Sequence, residues 1–146
     1  MKEPQISWYI IENESVNLID GEHYAGAYSP SNIEATFEIQ VWNNKWGRDD
    51  IPDVENPILV LMFDTIEDRT LLQYCKVRID NGPFKELEVL EDRATLPLYR
   101  PLSGKSNKGT SSDANNYAQI TIKFGPISYG MKNGLKSLLV DLQFNK

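Results

Sequence analysis

Four acidic residues within seven positions form the most concentrated group of candidate ligands in the sequence. They are Asp49, Asp50, Asp53 and Glu55. Because Ca²⁺ prefers several carboxylate and carbonyl oxygens on a flexible loop, this group is a candidate calcium site. The stretch lacks the regular ligand spacing and the central glycine of an EF-hand, so a solvated acidic loop is the favoured interpretation and calcium the alternative. We expect no cofactor, with calcium as the one candidate.

Two other groups of reactive residue types do not form a known catalytic pattern. Gly104-Lys105-Ser106 matches the end of a phosphate-binding loop, but the glycine required five positions earlier is replaced by Tyr99. Residues 103–116 are therefore interpreted as a flexible polar loop. His23 is the only histidine and Cys75 the only cysteine, and Cys75 fits a buried strand position. The sequence predicts no catalytic residue and no enzyme.

Aromatic residues in or beside predicted loops are the candidate binding surface. Trp and Tyr combine a large apolar area with a polar tip, which suits a protein interface or a platform for stacking sugars. The alternative is that these rings only close the end of the fold. The candidate binding residues, which include two lysines, are Trp42, Trp46, Tyr28, Tyr99, Lys105 and Lys108.

The elements that must position these residues are strands, because apolar and polar residues alternate with a period of two along most of the chain. The predicted strands are residues 5–11, 15–19, 35–42, 58–63, 71–79, 84–90, 94–99, 117–124 and 135–144. This pattern predicts one all-β domain over residues 1–146. We expect an antiparallel two-sheet β-sandwich of the jelly-roll or immunoglobulin-like kind, with about eight or nine strands and little helix.

Connections between these strands supply two further expectations. Asn81-Gly82 predicts a tight hairpin turn before strand 84–90, because this dipeptide tolerates positive φ. Residues 21–32, 43–56 and 101–116 resist strand assignment and exceed the usual connection of about 4–6 residues. Loops of this length tend to be functional or mobile, so a partner is expected to contact them.

Charge and composition exclude several classes of partner. The 146 residues carry a formal net charge of -6, so the averaged field repels nucleic-acid phosphates and anionic lipid headgroups. We expect no nucleic-acid partner and no membrane association. The apolar stretch at Trp8–Ile11 is too short for a secretory signal, which predicts that the protein starts in the cytoplasm.

Residues 28–47, YSPSNIEATFEIQVWNNKWG, followed by a β domain with long loops, resemble small virion proteins of tailed bacteriophages. The resemblance covers most of the chain as a style of construction and carries over no functional residue. It implies a β-sandwich fold, a place in the virion, and a role in capsid decoration or in neck, tail or baseplate assembly.

The leading hypothesis is therefore a non-catalytic structural protein of a virion. It would bind neighbouring subunits through long loops and strand edges, as a homo-oligomer or as part of a larger complex. The alternative is a carbohydrate- or ligand-binding β-sandwich module, stabilised by calcium if the acidic group is a metal site. A third hypothesis is an enzyme that acts on glycans with an acidic cleft.

Overall fold

A computed structural model describes residues 3–12, 15–18, 24–28, 35–63, 72–124 and 136–145. In chain order the strands are β1 (Ile6–Glu12), β2 (Ser15–Leu18), β3 (Tyr24–Tyr28), β4 (Ala35–Asn43), β5 (Glu55–Phe63), β6 (Cys75–Ile79), β7 (Lys85–Glu86), β8 (Glu88–Val89), β9 (Ala94–Pro97), β10 (Tyr117–Phe124) and β11 (Lys136–Asn145). Within the described residues, no helix is long and apolar enough to cross a membrane.

The strands form two sheets in which neighbouring strands are antiparallel. The six-stranded sheet has the order β2-β1-β4-β10-β6-β7, and the five-stranded sheet has the order β3-β11-β5-β9-β8. Among the strands of the described residues, β7 and β8 alone have fewer than four residues. The prediction of an all-β, two-sheet antiparallel sandwich is confirmed.

Alternation along the central strands sets which side chains enter the core. In β4, Ile39 and Val41 are buried, whereas Thr36 and Glu38 are exposed, because successive side chains of a strand point to opposite faces. In the five-stranded sheet, β5 lies between β11 and β9. Its run Leu59–Leu61 is buried at every position, as expected for a strand covered on both faces.

One predicted loop contains a strand. The segment 21–32 was expected to resist strand assignment, but Tyr24–Tyr28 forms β3 and pairs with β11. Its sequence, YAGAY, has low intrinsic preference for a strand because of its glycine and alanines. Hydrogen bonding to β11 outweighs this low preference. The local sequence pattern carries no information about that pairing.

The predicted strand 84–90 is divided between the two sheets. Its first part, β7, pairs with β6, and its second part, β8, pairs with β9. The predicted antiparallel pairing with the preceding strand is confirmed for β7. The connection contains a tight turn in which the N–H of Gly82 donates to the Ile79 carbonyl over 3.1 Å, so that Asp80 and Asn81, rather than Asn81 and Gly82, are its central residues. Val77 pairs with Lys85, and the positive φ of this connection belongs to Asp80.

Boundaries also shift at the start of β6. The strand predicted for residues 71–79 begins at Cys75 and follows a 3-10 turn at residues 72–74. Residue 71 lies outside the described residues. Cys75 itself is buried, as predicted, and burial raises the pKa of its thiol. A protonated, inaccessible thiol is a packing residue rather than a nucleophile.

Candidate functional site: the loop end

Two long loops, residues 44–54 and 98–116, meet at one end of the sandwich, and we call these loops together with Asn43, the last residue of β4, the loop end. They meet because β4 ends where β10 begins, with Trp42 opposite Tyr117. Val54 and Leu102 then join the loops through two backbone hydrogen bonds. The N–H of Val54 donates to the Leu102 carbonyl over 2.8 Å, and the N–H of Leu102 donates back over 3.1 Å.

Asn43 is a buried side chain that ties three segments together. Its Nδ2 donates to the carbonyl oxygens of Pro52 (3.0 Å) and Leu102 (3.2 Å). Its Oδ1 accepts from the N–H of Gln5 over 2.9 Å. One amide therefore satisfies backbone groups of both loops and of the chain before β1, which buried polar groups require.

Asn44 and Asn116 are also buried and repeat this arrangement. The Nδ2 of Asn44 donates to the Gly104 carbonyl over 2.8 Å. The Nδ2 of Asn116 donates to the carbonyls of Ser103 and Lys105, each over 2.9 Å. Segment 103–116, predicted to be a flexible polar loop, is instead fastened to its neighbours by buried amides.

Two of the predicted calcium ligands hold the same loop. Asp53 accepts from the N–H of Gly104 and Asp50 from the N–H of Ser106, each over 2.8 Å. These are backbone donors of the kind that cradle a phosphate in a true phosphate-binding loop, and here carboxylates of the neighbouring loop accept from them. A side chain at Gly104 would also place its Cβ 2.1 Å from the Ile51 carbonyl oxygen.

The predicted calcium site is not assembled. No group of three or more His, Cys, Asp or Glu side chains that could hold a metal ion occurs within the part of the chain that the structure describes. Asp49, Asp50, Asp53 and Glu55 all belong to that part. The physical reason is visible at Asp50 and Asp53, whose carboxylates accept hydrogen bonds from the opposite loop.

Trp42, predicted as a surface binding residue, is buried at 1% exposure. Its ring stacks on Tyr117 at 4.4 Å between centroids, and its Nε1 donates to Oε1 of Gln40 over 2.9 Å. Trp42 lies on the face of β4 opposite to the core residues Ile39 and Val41, because it shares the phase of Gln40. In the free chain its ring is therefore covered.

Trp46 is the opposite case, because 61% of it is exposed. Its backbone is left-handed, with φ of 61°, and its N–H donates to Oδ1 of Asn107 over 3.1 Å. Its indole also lies against Gly109, where an added Cβ would approach Trp46 Cδ1 to 2.2 Å. The second loop of the loop end thus fixes both the backbone and one part of the ring of Trp46.

Lys45 lies among three aromatic rings, Tyr9, Trp42 and Trp46, which we call the aromatic cage. Its Nζ is 3.8 Å from the centroid of Tyr9, 4.4 Å from that of Trp46 and 4.8 Å from that of Trp42. Burial lowers the pKa of Lys45 by desolvation, and the negative ring faces act in the opposite direction by attracting the ammonium. Sequence reasoning missed both Tyr9 and Lys45.

Tyr99 is exposed at 69% and is also left-handed, with φ of 63°. The Nζ of Lys85 lies 4.3 Å from the centroid of its ring. Tyr99 and Pro97 line a groove of about 310 Å³ beside the start of β5. The neighbouring Arg100 is fixed by Asp80, whose two carboxylate oxygens each accept over 3.1 Å.

The other predicted site residues lie apart from this arrangement. Lys105 and Lys108 are exposed on the second loop. Tyr28 ends β3, where it pairs with Lys136 of β11, so it is a strand residue rather than the loop residue that was expected. His23 lies outside the described residues. Of the predicted binding residues, Trp42 and Trp46 therefore lie around Lys45. Lys105 and Lys108 are exposed on the second loop and are not part of this group.

Comparison of this chain with protein-family models, curated proteins and solved structures finds no match.

Proposed function

We propose that this chain is a non-catalytic interaction protein that binds a neighbouring subunit through the loop end. One observation supports this proposal above the others. Among the described residues, five non-glycine residues have positive φ: Asn44, Trp46, Asn56, Asp80 and Tyr99. Asn and Asp are common in this conformation. The two aromatic residues, however, are also the two most exposed large hydrophobic side chains.

A bulky residue in the left-handed region costs about 1–3 kcal/mol and persists only where its surroundings fix it. Trp46 has such surroundings, because Asn107 accepts from its N–H and Gly109 contacts its ring. The fold therefore holds the apolar ring of Trp46 in water at a cost in conformational free energy. Selection for stability alone does not explain a strained, exposed tryptophan. A role for Trp46 as a contact residue for a partner does explain it.

A stiff loop end also suits binding. Ordering a flexible loop on association costs free energy, and preorganised loops avoid much of that cost. The buried amides of Asn43, Asn44 and Asn116 supply this preorganisation before any partner arrives. Trp and Tyr anchors carry a large share of the free energy in many protein interfaces.

The biological setting that we propose is a virion of a tailed bacteriophage, with neighbouring virion subunits or copies of this chain as partners. Its support is the resemblance of residues 28–47 to small virion proteins, together with the β-sandwich fold. The segment 28–47 includes Trp42, Lys45 and Trp46. The resemblance and the proposed contact surface therefore concern the same stretch of chain.

The test is the association state of the untagged chain, measured by light scattering and sedimentation across a concentration series. We expect concentration-dependent assembly that Trp46→Ala weakens by roughly 30-fold, equivalent to about 2 kcal/mol for a central anchor. Val89→Ala is the matched control, because Val89 is also an exposed apolar residue but lies in β8. Monomers at every concentration, or equal losses in both variants, would contradict assembly through Trp46.

Carbohydrate binding is the second candidate function, favoured by the exposed indole of Trp46 beside polar residues such as Asn107. An exposed ring with nearby hydrogen-bonding groups is suited to stacking on a sugar. The test is retention on immobilised polysaccharides by affinity electrophoresis, comparing the wild type with Trp46→Ala and Tyr99→Ala. Carbohydrate binding predicts retention that one of these changes removes, whereas equal mobility on every polysaccharide would exclude it.

A further inference from the structure

The aromatic cage already contains a cation, and this is its most informative feature. Three ring centroids lie within 5 Å of the Nζ of Lys45, at 3.8, 4.4 and 4.8 Å. Tyr9 and Trp46 are nearly perpendicular, with an interplanar angle of 87°, so they form two walls of a corner. The corner therefore has the size and charge preference for one alkylammonium group.

The aromatic cage lies next to solvent, so the ammonium group inside it can exchange with another. Trp42 and Tyr9 are buried, so they form the inner walls. Trp46, the outer wall, is exposed, and Lys45 is half-buried. The site is thus an aromatic recess that opens on the same surface that we propose for subunit binding.

We propose that the aromatic cage is a binding site for the lysine side chain of a partner protein, and that Lys45 occupies it in the free chain. This inference deepens the proposed function, on which the identity of the partner class rests. Rings with negative faces attract an ammonium group and offset part of its desolvation. A lysine side chain from a docked neighbour would occupy the position of the Lys45 ammonium group. The Lys45 side chain would then extend into solvent.

Competition between the two cations determines how the site behaves. Lys45 is tethered beside the cage, so its effective concentration is on the order of millimolar or higher. A small free cation has no such increase in effective concentration. The lysine of a partner that is already bound to Trp46 and the surrounding loops has one. The free chain is therefore expected to bind small cations more weakly than a chain that lacks the Lys45 side chain.

The experiment follows the indole N–H signals of the full chain by NMR during titration. Trp42 and Trp46 report on the cage, and Trp8, which is buried in the hydrophobic core, is the internal reference. The proteins are the wild type, Lys45→Ala, and Lys45→Ala with Trp46→Ala. The probes are Nα-acetyl-lysine methylamide, which mimics a partner lysine, tetramethylammonium, which represents a free quaternary amine, and sodium chloride at equal ionic strength.

We expect Lys45→Ala to bind both organic cations, with saturable shifts of Trp42 and Trp46 and dissociation constants of roughly 1–10 mM. Binding to the wild type should be weaker by about twofold or more, because Lys45 competes. The double variant should show no saturable shift. If Lys45→Ala fails to fold, as judged by circular dichroism, Lys45→Ser replaces it in the same titration.

Several results would overturn the inference. Equal binding of neopentyl alcohol, a neutral compound with a similar branched head, would show an apolar recess rather than a cation site. Binding of tetramethylammonium without the lysine probe would assign the site to free quaternary amines. Equal binding by the wild type and Lys45→Ala would show that Lys45 is not the occupant, and no binding by Lys45→Ala would remove the site.

These failures are distinguishable from failure of the proposed function. A chain that assembles through Trp46, but whose Lys45→Ala form binds neither probe, would contradict the cage alone. A Lys45→Ala form that binds both probes, in a chain whose assembly is unaffected by Trp46→Ala, would contradict the interface alone.

Discussion

The loop end and the margin of the two sheets at β7 and β8 show that burial and regular strand structure do not coincide. We call residues 84–93 the edge segment, because it contains the short strands β7 and β8 at the margins of the two sheets. The edge segment has strands but exposes most of its side chains, with Leu87 as a buried exception. The loop end is mostly irregular, yet Asn43, Asn44 and Asn116 are buried within it.

The difference lies in how backbone groups find partners. At the loop end, asparagine side chains replace the missing strand ladder and satisfy carbonyls in the interior. Buried carbonyl groups without a hydrogen-bond partner lower stability. Replacing an asparagine of this hydrogen-bond network is therefore costly. In the edge segment, charged Lys85, Glu86 and Glu88 are exposed, and charges on a sheet margin oppose pairing with foreign strands. We therefore expect substitutions to be costly at the loop end and mild at the edge.

The largest effect is expected for Gly104→Ala. The new Cβ would lie 2.1 Å from the carbonyl oxygen of Ile51 and would press on backbone rather than on a flexible side chain. Separating the two loops should lower the free energy of unfolding by about 3 kcal/mol or more. Urea denaturation monitored by fluorescence measures this value.

Gly82→Ala is the control for Gly104→Ala, since its Cβ would meet only the Ile79 carbonyl oxygen at 3.3 Å. A loss below about 1 kcal/mol is expected there. If both glycine variants lose the same free energy, close packing of the two loops is not what stabilises the loop end.

A smaller but clear loss is expected for Asn43→Ala. This change removes three hydrogen bonds, to Gln5, Pro52 and Leu102, and leaves buried backbone groups without their partners. The free energy of unfolding should fall by about 2–3 kcal/mol. Thermal unfolding by calorimetry and urea denaturation measure it independently.

Asn81→Ala tests whether the cost at position 43 comes from burial rather than from loss of an amide as such. Asn81 is exposed in the connection before β7, so its replacement should change stability by less than about 0.5 kcal/mol. Comparable losses at Asn43 and Asn81 would remove the contrast between the two regions.

Apart from the control substitutions, the smallest effect is expected in the edge segment, for Leu90→Ser. Leu90 is 46% exposed, so folding removes only part of its apolar surface from water, and the loss should be about 0.5–1 kcal/mol. The same urea denaturation applies. A loss that equals or exceeds that of Asn43→Ala would show that the edge contributes more to stability than its exposure indicates.

Prediction from the sequence was strongest where the signal is local. The alternation of β4 and β10 identified Ile39, Val41, Ile120 and Ile122 as inward-facing, and all four are buried. The two tryptophans of one loop region show the limit of the same reasoning. Trp42 and Trp46 are four positions apart, but Trp42 is buried and stacks on Tyr117, which the strand register sets opposite it, whereas Trp46 is exposed.

The candidate site shows the same limit for polar residues. Acidic residues at positions 49–55 suggested calcium, because carboxylates and loops are what calcium binds. Two of these carboxylates instead accept N–H groups of Gly104 and Ser106, which lie more than fifty positions away in sequence. No local pattern contains the information that these donors are the neighbours of Asp50 and Asp53.

The sequence by itself determined the all-β class, most of the strands and the face that each buries, because a period of two is a property of each strand alone. Tertiary structure decided which loops meet, which carboxylates and amides they use, and that Tyr9 joins Trp42 and Trp46 around Lys45. The physical reason is that these contacts depend on strand pairing. Tyr9 reaches the cage only because β1 pairs with β4 and sets Tyr9 opposite Gln40, and β1 and β4 are separated by more than twenty residues of chain.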